Sequence, residues 1–294
     1  MRSVHGLFIA AAIAFVFAGK DVAVWASASL VIDDAELEER FAAGMQEHGV
    51  EGLSGADATK ALLRAEGKSV EVTMTSPKPA TDYEQACRSV VVVGSANFCK
   101  DCKGAHMGGF GTGWVIDPRG RIVTNHHVLE DKEAEELGVM TFDGRVFPVR
   151  RILASDSKGD AAILEIDPGG VELPALVLAD GVRTGEAVRV IGHPDGRFYT
   201  LSEGIVSRVF SESGGEDKVR RTWLTVTADY GAGSSGAPVL SASGQVVGMV
   251  STTAALLADT AEGEEPAAEV VQMVFRDCVS IETIRGLIEP TEDR

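Results

Sequence analysis

The sequence predicts an all-β fold, built as barrels or a sandwich, with a short helical N-terminal extension. Three observations carry this reading. From Arg88 onward the chain divides into about a dozen short Val-rich runs separated by Gly, Asp and Pro turns. Helical spacing is confined to the stretch before Ala86 and to the C-terminal end. No strand-helix alternation and no solenoid or propeller repeat runs through the chain.

Residues 1–28, "MRSVHGLFIAAAIAFVFAGKDVAVWASA", place Arg2 before an apolar run from Leu7 to Ala18 and end in Ala26-Ser27-Ala28. This is the layout of a secretory signal peptide cleaved after Ala28. The run breaks at Lys20-Asp21, short of the roughly 20 residues a bilayer span needs, so no stable membrane insertion is expected after cleavage. Residues 29–86 read as a helical extension and linker. "DDAELEERFAAGMQEHG" and "GADATKALLRAEG" carry apolar residues at helical spacing, with Asp57 placed to cap the second helix. His48 and the Glu-rich helix around it read as a solvated face. "KSVEVTMT" alternates like a strand, and "SPKPATD" is a Pro-containing joint.

Residues 87–294 form the β-rich domain. Its predicted strands are "SVVVVGS", "GTGWVI", "RIVTN", "VMTF", "RVFPVRRIL", "AAILEI", "AVRVIG", "FYTLSEGIVSRVF", "TWLTVTA", "APVLSA", "QVVGMVS" and "VVQMVF". "DPRG" (Asp117 to Gly120) and "FDGR" (Phe142 to Arg145) are hairpin turns. Thr252 to Val270, rich in Ala and Glu, reads as a long disordered loop, and "CVSIETIRGLIE" as a terminal helix. Trp114 and Trp223 fall in strand patterns as core or cleft-wall residues, and His193 in a turn near the cleft without a chemical role.

The net charge of -17 opposes a polyanion-binding role, because phosphate recognition needs clustered Lys and Arg, so nucleic acid is not an expected partner. Export would put Cys87, Cys99, Cys102 and Cys278 in an oxidising compartment, where four cysteines allow three full pairings. "CKDCKGAH" also gives Cys99, Cys102 and His106 ligand-like spacing for zinc, with a disulfide or thiol redox chemistry as competing uses.

Three signals that carry chemistry occur in order. They are "TNHHV" after a strand, "SDSKGDAAILEI" with Asp160 entering a strand, and "GAGSSGAPVL" with Ser235 in a Gly-rich turn. A serine hydroxyl is a weak nucleophile and needs an imidazole to take its proton and a carboxylate to hold that imidazole. Small residues around it let the chain turn sharply, so that the N–H groups of Gly233 and Ser235 can converge on an oxyanion. All six histidines precede Ser235, which excludes the α/β-hydrolase order of Ser before His. The β-rich pattern opposes a subtilisin scaffold. Either His126 or His127 could face the cleft on these grounds, since neighbours at a strand end point to opposite faces.

"GTGWVIDPRGRIVTNHHV", "DAAILEI" and "GSSGAPVLSASGQVVGMVS" together resemble the bacterial trypsin-like serine peptidases of the chymotrypsin fold, closest to the HtrA/Deg-type branch, over about Ser89 to Phe275. The resemblance implies two packed six-stranded antiparallel β barrels with the active site between them. It also implies His127 as the base, Asp160 rather than Asp156 as its carboxylate, and Ser235 rather than Ser234 as the nucleophile. Gly233 and Ser235 then form the oxyanion hole. Ala237 replaces a family glycine, and Ser234 stands where zymogen-derived trypsins carry the aspartate that pairs with a new N-terminus. Asp229, six residues before Ser235, matches the carboxylate of a trypsin-like specificity pocket and would favour Arg or Lys at the scissile position. The alternative is a paired or solvated loop carboxylate.

With only about twenty residues after Phe275, no PDZ module is expected to follow. The reading is a periplasmic or extracellular serine endopeptidase acting on proteins or peptides without a cofactor. Its rivals are an inactive peptide-binding module of the same fold and a zinc or thiol protein centred on Cys99, Cys102 and His106. Oligomeric state is not legible in the sequence.

Overall fold

The computed structural model describes residues 30–49, 51–73, 80–214, 219–258 and 270–290. The predicted signal peptide and most of the acidic loop after Ala258 lie outside the described residues. Two helices come first, α1 (Asp34–His48) and α2 (Gly55–Ala65). Asp33 caps α1 by accepting from the Glu36 N–H. The cap of α2 is Ser54 and not Asp57. Ser54 Oγ accepts from the Asp57 N–H, and Asp57 occupies the third helical position, where its charge faces the helix N-terminus.

A short strand β1 (Val70–Val72) and helix α3 (Tyr83–Cys87) lead into the first sheet. Its strands are β2 (Val90–Phe98), β3 (Ala105–Asp117), β4 (Arg121–Thr124), β5 (Glu136–Thr141), β6 (Val146–Pro148), β7 (Arg151–Asp156) and β8 (Ala161–Glu165). They are ordered β6-β5-β2-β3-β4-β8-β7, all antiparallel. This half has seven strands, and no ladder joins its edges β6 and β7. Those edges are consecutive in the chain, and Val149 and Arg150 between them donate to Leu137 and Glu165, so the sheet curls into an open barrel.

The second half is a closed six-stranded barrel, β10-β11-β14-β13-β12-β9. Its strands are β9 (Ala187–Gly192), β10 (Thr200–Gly214), β11 (Val219–Val226), β12 (Pro238–Ser241), β13 (Val246–Leu257) and β14 (Val271–Ser280). Thr252 to Leu257, read from sequence as loop, is strand: Thr252 pairs with Asp277 and Leu256 with Met273. Ladder bonds from β14 override the weak strand character of an Ala-rich run. The predicted terminal helix is likewise shorter. Cys278 to Ser280 stay in β14, Ser280 caps α4 (Ile281–Gly286), and β15 (Ile288–Pro290) pairs in parallel with β1.

The "VVVV" run of β2 is apolar throughout because both of its faces are covered. Val91 and Val93 pack with Leu62 of α2, Leu129 and Leu164. Val90 and Val92 pack with Phe41 and Met45 of α1, Trp114, and residues of the second barrel such as Ile191 and Met249. The N-terminal helices therefore lie on the β structure and supply core side chains. His48, predicted to be solvated, is half-buried with Nε2 2.9 Å from the Val146 carbonyl. The four cysteines are free thiols without disulfides, and Cys87 and Cys278 are buried in separate clusters.

Candidate active site

Strand β4 ends at Thr124 and delivers two histidines into a 3-10 turn, His127–Leu129, rather than onto a strand end. The two rings part there. His126 turns inward, with Nδ1 2.7 Å from Ser155 Oγ. His127 is 43% exposed, and its Nδ1 lies 2.9 and 3.0 Å from the two carboxylate oxygens of Asp160. A nitrogen this close to a carboxylate carries the proton, which leaves Nε2 as the free base of the neutral ring.

Asp160 sits at the start of β8 with φ +50°, a left-handed conformation that Asp tolerates better than most residues. Asn125 holds it there by donating to the Asp160 carbonyl at 2.8 Å. The carboxylate receives the backbone N–H of His127 at 3.2 Å and the hydroxyl of Ser251 at 2.5 Å. Asp160 raises the His127 pKa above its ordinary 6.5 through the hydrogen bond, and burial opposes part of that rise. Asp156 belongs to a different network: it pairs with Arg221 at 2.9 Å.

The serine turn crosses from the second barrel onto the first. Thr112 of β3 donates its N–H to the Ser235 carbonyl at 2.7 Å and its hydroxyl to the Gly233 carbonyl at 2.9 Å. The Thr112 carbonyl in turn accepts from Thr124 Oγ1 at 2.8 Å, on the strand that leads to His127. Two glycines permit this approach. Gly233 has φ +90°, and a Cβ there would meet the His193 carbonyl at 2.4 Å. Gly236 has φ +88°, and a Cβ there would meet the Thr112 carbonyl at 1.9 Å. The N–H groups of Gly233 and Ser235 have no acceptor among the described residues. Ser234 is buried with its hydroxyl unpartnered, and Ala237 is fully buried below the turn.

Ser235 Oγ donates to the Ser251 carbonyl at 3.5 Å, and it has no hydrogen bond to His127 among the described residues. Ser251 thus stands between the two halves of the site, with its carbonyl toward Ser235 and its hydroxyl on Asp160. The structure brings His127 and Asp160 into direct contact and joins Ser235 to them through Ser251.

Sequence reasoning missed Ser251 and Thr112, and it did not foresee the structural part played by His193. The first two had only their places in strand patterns as a signal. His193 lies in the turn between β9 and β10 of the second barrel, and its ring is fully buried. Its Nε2 donates to the Val91 carbonyl at 3.2 Å, and its Nδ1 accepts from the Tyr199 N–H at 3.1 Å. Burial pushes its pKa down to about 4, so the ring is neutral and clamps β2 to the loop under the serine turn.

Asp229 is 81% exposed, and its carboxylate lies 2.6 Å from Arg276 of β14. Arg276 Nε is buried without a partner. Cys99, Cys102 and His106 lie together at the tip of the β2–β3 hairpin.

Fold and site together define a trypsin-like peptidase domain. Residues 111–249, which include His127, Asp160 and Ser235, match the family model of the trypsin-like peptidase domain. The chain is similar to the periplasmic serine endoprotease DegP of Escherichia coli K12, with 27% identity over 193 residues, 60% of this chain and 40% of that protein. It is also similar to the serine endoprotease DegS of Salmonella typhimurium, with 32% identity over 140 residues, 47% of this chain and 38% of that protein. The chain spans less than half the length of either relative. A serine endoprotease structure from Yersinia pestis shares the fold, with TM-score 0.50 and 23% identity over 70% of this chain and 64% of that one. The names of these relatives agree with the resemblance to the HtrA/Deg-type branch read from the sequence.

Proposed function

We propose that this chain is an exported serine endopeptidase that cleaves proteins or peptides through an acyl-enzyme. Ser235 is the nucleophile and His127 the general base. Asp160 fixes the imidazole tautomer, and the N–H groups of Gly233 and Ser235 form the oxyanion hole. The observation that carries the proposal is the hydrogen-bonded series from His127 Nδ1 to the Asp160 carboxylate and on to the Ser251 hydroxyl, whose carbonyl meets Ser235.

Rotation of the Ser235 hydroxyl from the Ser251 carbonyl to His127 Nε2 starts the reaction, and such bonds commonly shorten only when substrate is bound. Attack on the scissile carbonyl moves the serine proton to Nε2. The imidazolium then protonates the leaving amine, and water enters by the same route in reverse. Each oxyanion-hole donor in a site of this kind contributes about 3 kcal/mol to the transition state. The periplasmic name of the Escherichia coli relative, together with the predicted signal at residues 1–28, supports export to the periplasm. In this reading residues 29–86 are a helical extension and residues 87–294 the peptidase domain. Asp229 is the proposed charge at the scissile-residue pocket, where a basic side chain has to displace Arg276.

Hydrolysis of an unfolded protein by His127→Ala and His126→Ala variants tests the assignment. His127→Ala is expected to abolish turnover while His126→Ala retains it. The reverse result would move the base by one residue.

A further inference from the structure

The β2–β3 hairpin ends in a loop whose ladder continues through Asn97 with His106, Phe98 with Ala105, and the Cys99 N–H to the Gly104 carbonyl at 2.9 Å. Inside that loop the two sulfurs are partnered in a specific way. Cys99 Sγ accepts from the Cys102 N–H at 3.5 Å, and Cys102 Sγ accepts from the Gly104 N–H at 3.4 Å. Lys103 adopts φ +58°, the left-handed turn that aims the Gly104 N–H back at Cys102. From the adjacent strand His106 brings Nε2 to 3.0 Å from Cys102 Sγ. The three donor atoms all lie within 4.8 Å of one another.

We propose that this loop is a zinc site with Cys99, Cys102 and His106 as ligands. The donor set is two thiolates and one imidazole, the soft and borderline mixture that selects Zn(II) over the hard cations. Zn–S bonds of about 2.3 Å and a Zn–N bond of about 2.0 Å at tetrahedral angles put neighbouring donors roughly 3.5–3.8 Å apart. The Cys102–His106 separation of 3.0 Å is shorter than that and all three donors lie within 4.8 Å of one another, so side-chain rotations bring them to an ion. The backbone N–H bonds to both sulfurs supply the outer shell that neutralises thiolate charge and holds each ligand in place.

A Cys99–Cys102 disulfide would account for the two sulfurs but not for the imidazole held against one of them. His106 lines a groove of about 480 Å³ between the hairpin and α1, together with Glu38, Glu39 and Gln46, and a fourth ligand would come from solvent on that side. The ion pins the tip of the hairpin whose far end carries Thr112 under the serine turn. This inference is independent of the peptidase proposal.

The test uses the full chain, purified under reducing conditions and stripped with chelator, titrated with Co(II) and then Zn(II). One Co(II) per chain is expected, with a thiolate-to-metal charge-transfer band and the intense visible bands of a tetrahedral centre, all lost on Zn(II) addition. Loss of one ligand in Cys102→Ser or His106→Gln should weaken binding about 100-fold or more, since even outer-shell changes cost 10–100-fold. Absence of the charge-transfer band in the reduced chain would overturn the site. An affinity unmoved by His106→Gln would overturn the ligand set.

Discussion

His193 gives an acid sensitivity that can be worked from the structure. Its ring is fully buried, bonded through both nitrogens, and its pKa is pushed from 6.5 down to about 4. The unfolded chain takes up a proton at this residue as the pH falls below 6.5, and the folded chain does not until about 4. A histidine depressed in this way contributes stability that is intact above 6.5 and is lost as pH falls toward 4. The difference corresponds to about 3 kcal/mol. His193→Gln keeps an N–H donor for the Val91 carbonyl and cannot titrate. Urea unfolding of both proteins near pH 7 and near pH 4 isolates the effect, because the remaining carboxylates titrate in both and cancel. The variant should be the less stable protein near pH 7 by about 1–2 kcal/mol, from the lost acceptor for the Tyr199 N–H. Its stability relative to wild type should then rise by about 3 kcal/mol near pH 4. A stability difference that stays constant with pH would refute the argument.

Three further predictions concern the site. Ser251→Ala removes a charge-assisted hydrogen bond to Asp160 and should lower kcat/KM about 10-fold without changing the fold, as measured by steady-state peptide hydrolysis and circular dichroism. Asp160→Asn should lower kcat about 10,000-fold. Because Asp160 holds the His127 pKa above 6.5, activity rises with pH through a midpoint above that value, and the residual activity of the variant should titrate at lower pH. Arg276→Leu should free Asp229 and raise cleavage after Lys and Arg in a peptide library, whereas Asp229→Ala should free Arg276 and favour acidic residues there; indifference in both would remove this pair from specificity.

Much of the fold was legible because strand runs and turn residues speak locally. The "DPRG" and "FDGR" turns form as read, with Gly120 and Gly144 at positive φ. Features set by distant partners were not legible. Thr252 to Leu257 became strand through pairing with Val271 to Asp277, and nothing within the Ala-rich run announces that partner. The helices of the extension showed their apolar spacing, but that Phe41 and Met45 would pack with β2 depended on the tertiary fold. At the site the order of His, Asp and Ser was visible in the chain, whereas Ser251 is a serine at a strand end until folding sets it on Asp160. The separation of His126 from His127 follows the same rule. The doublet enters a 3-10 turn rather than a strand end, and Ser155 and Asp160 each hold one ring.

The most direct test of the central claim is labelling with a fluorophosphonate probe, which captures an activated serine. The wild-type chain should label, and mass analysis should place the adduct on Ser235. Ser235→Ala should not label, and His127→Ala should label far more slowly. Equal labelling of wild type and Ser235→Ala, or an adduct on Ser234, would contradict the account.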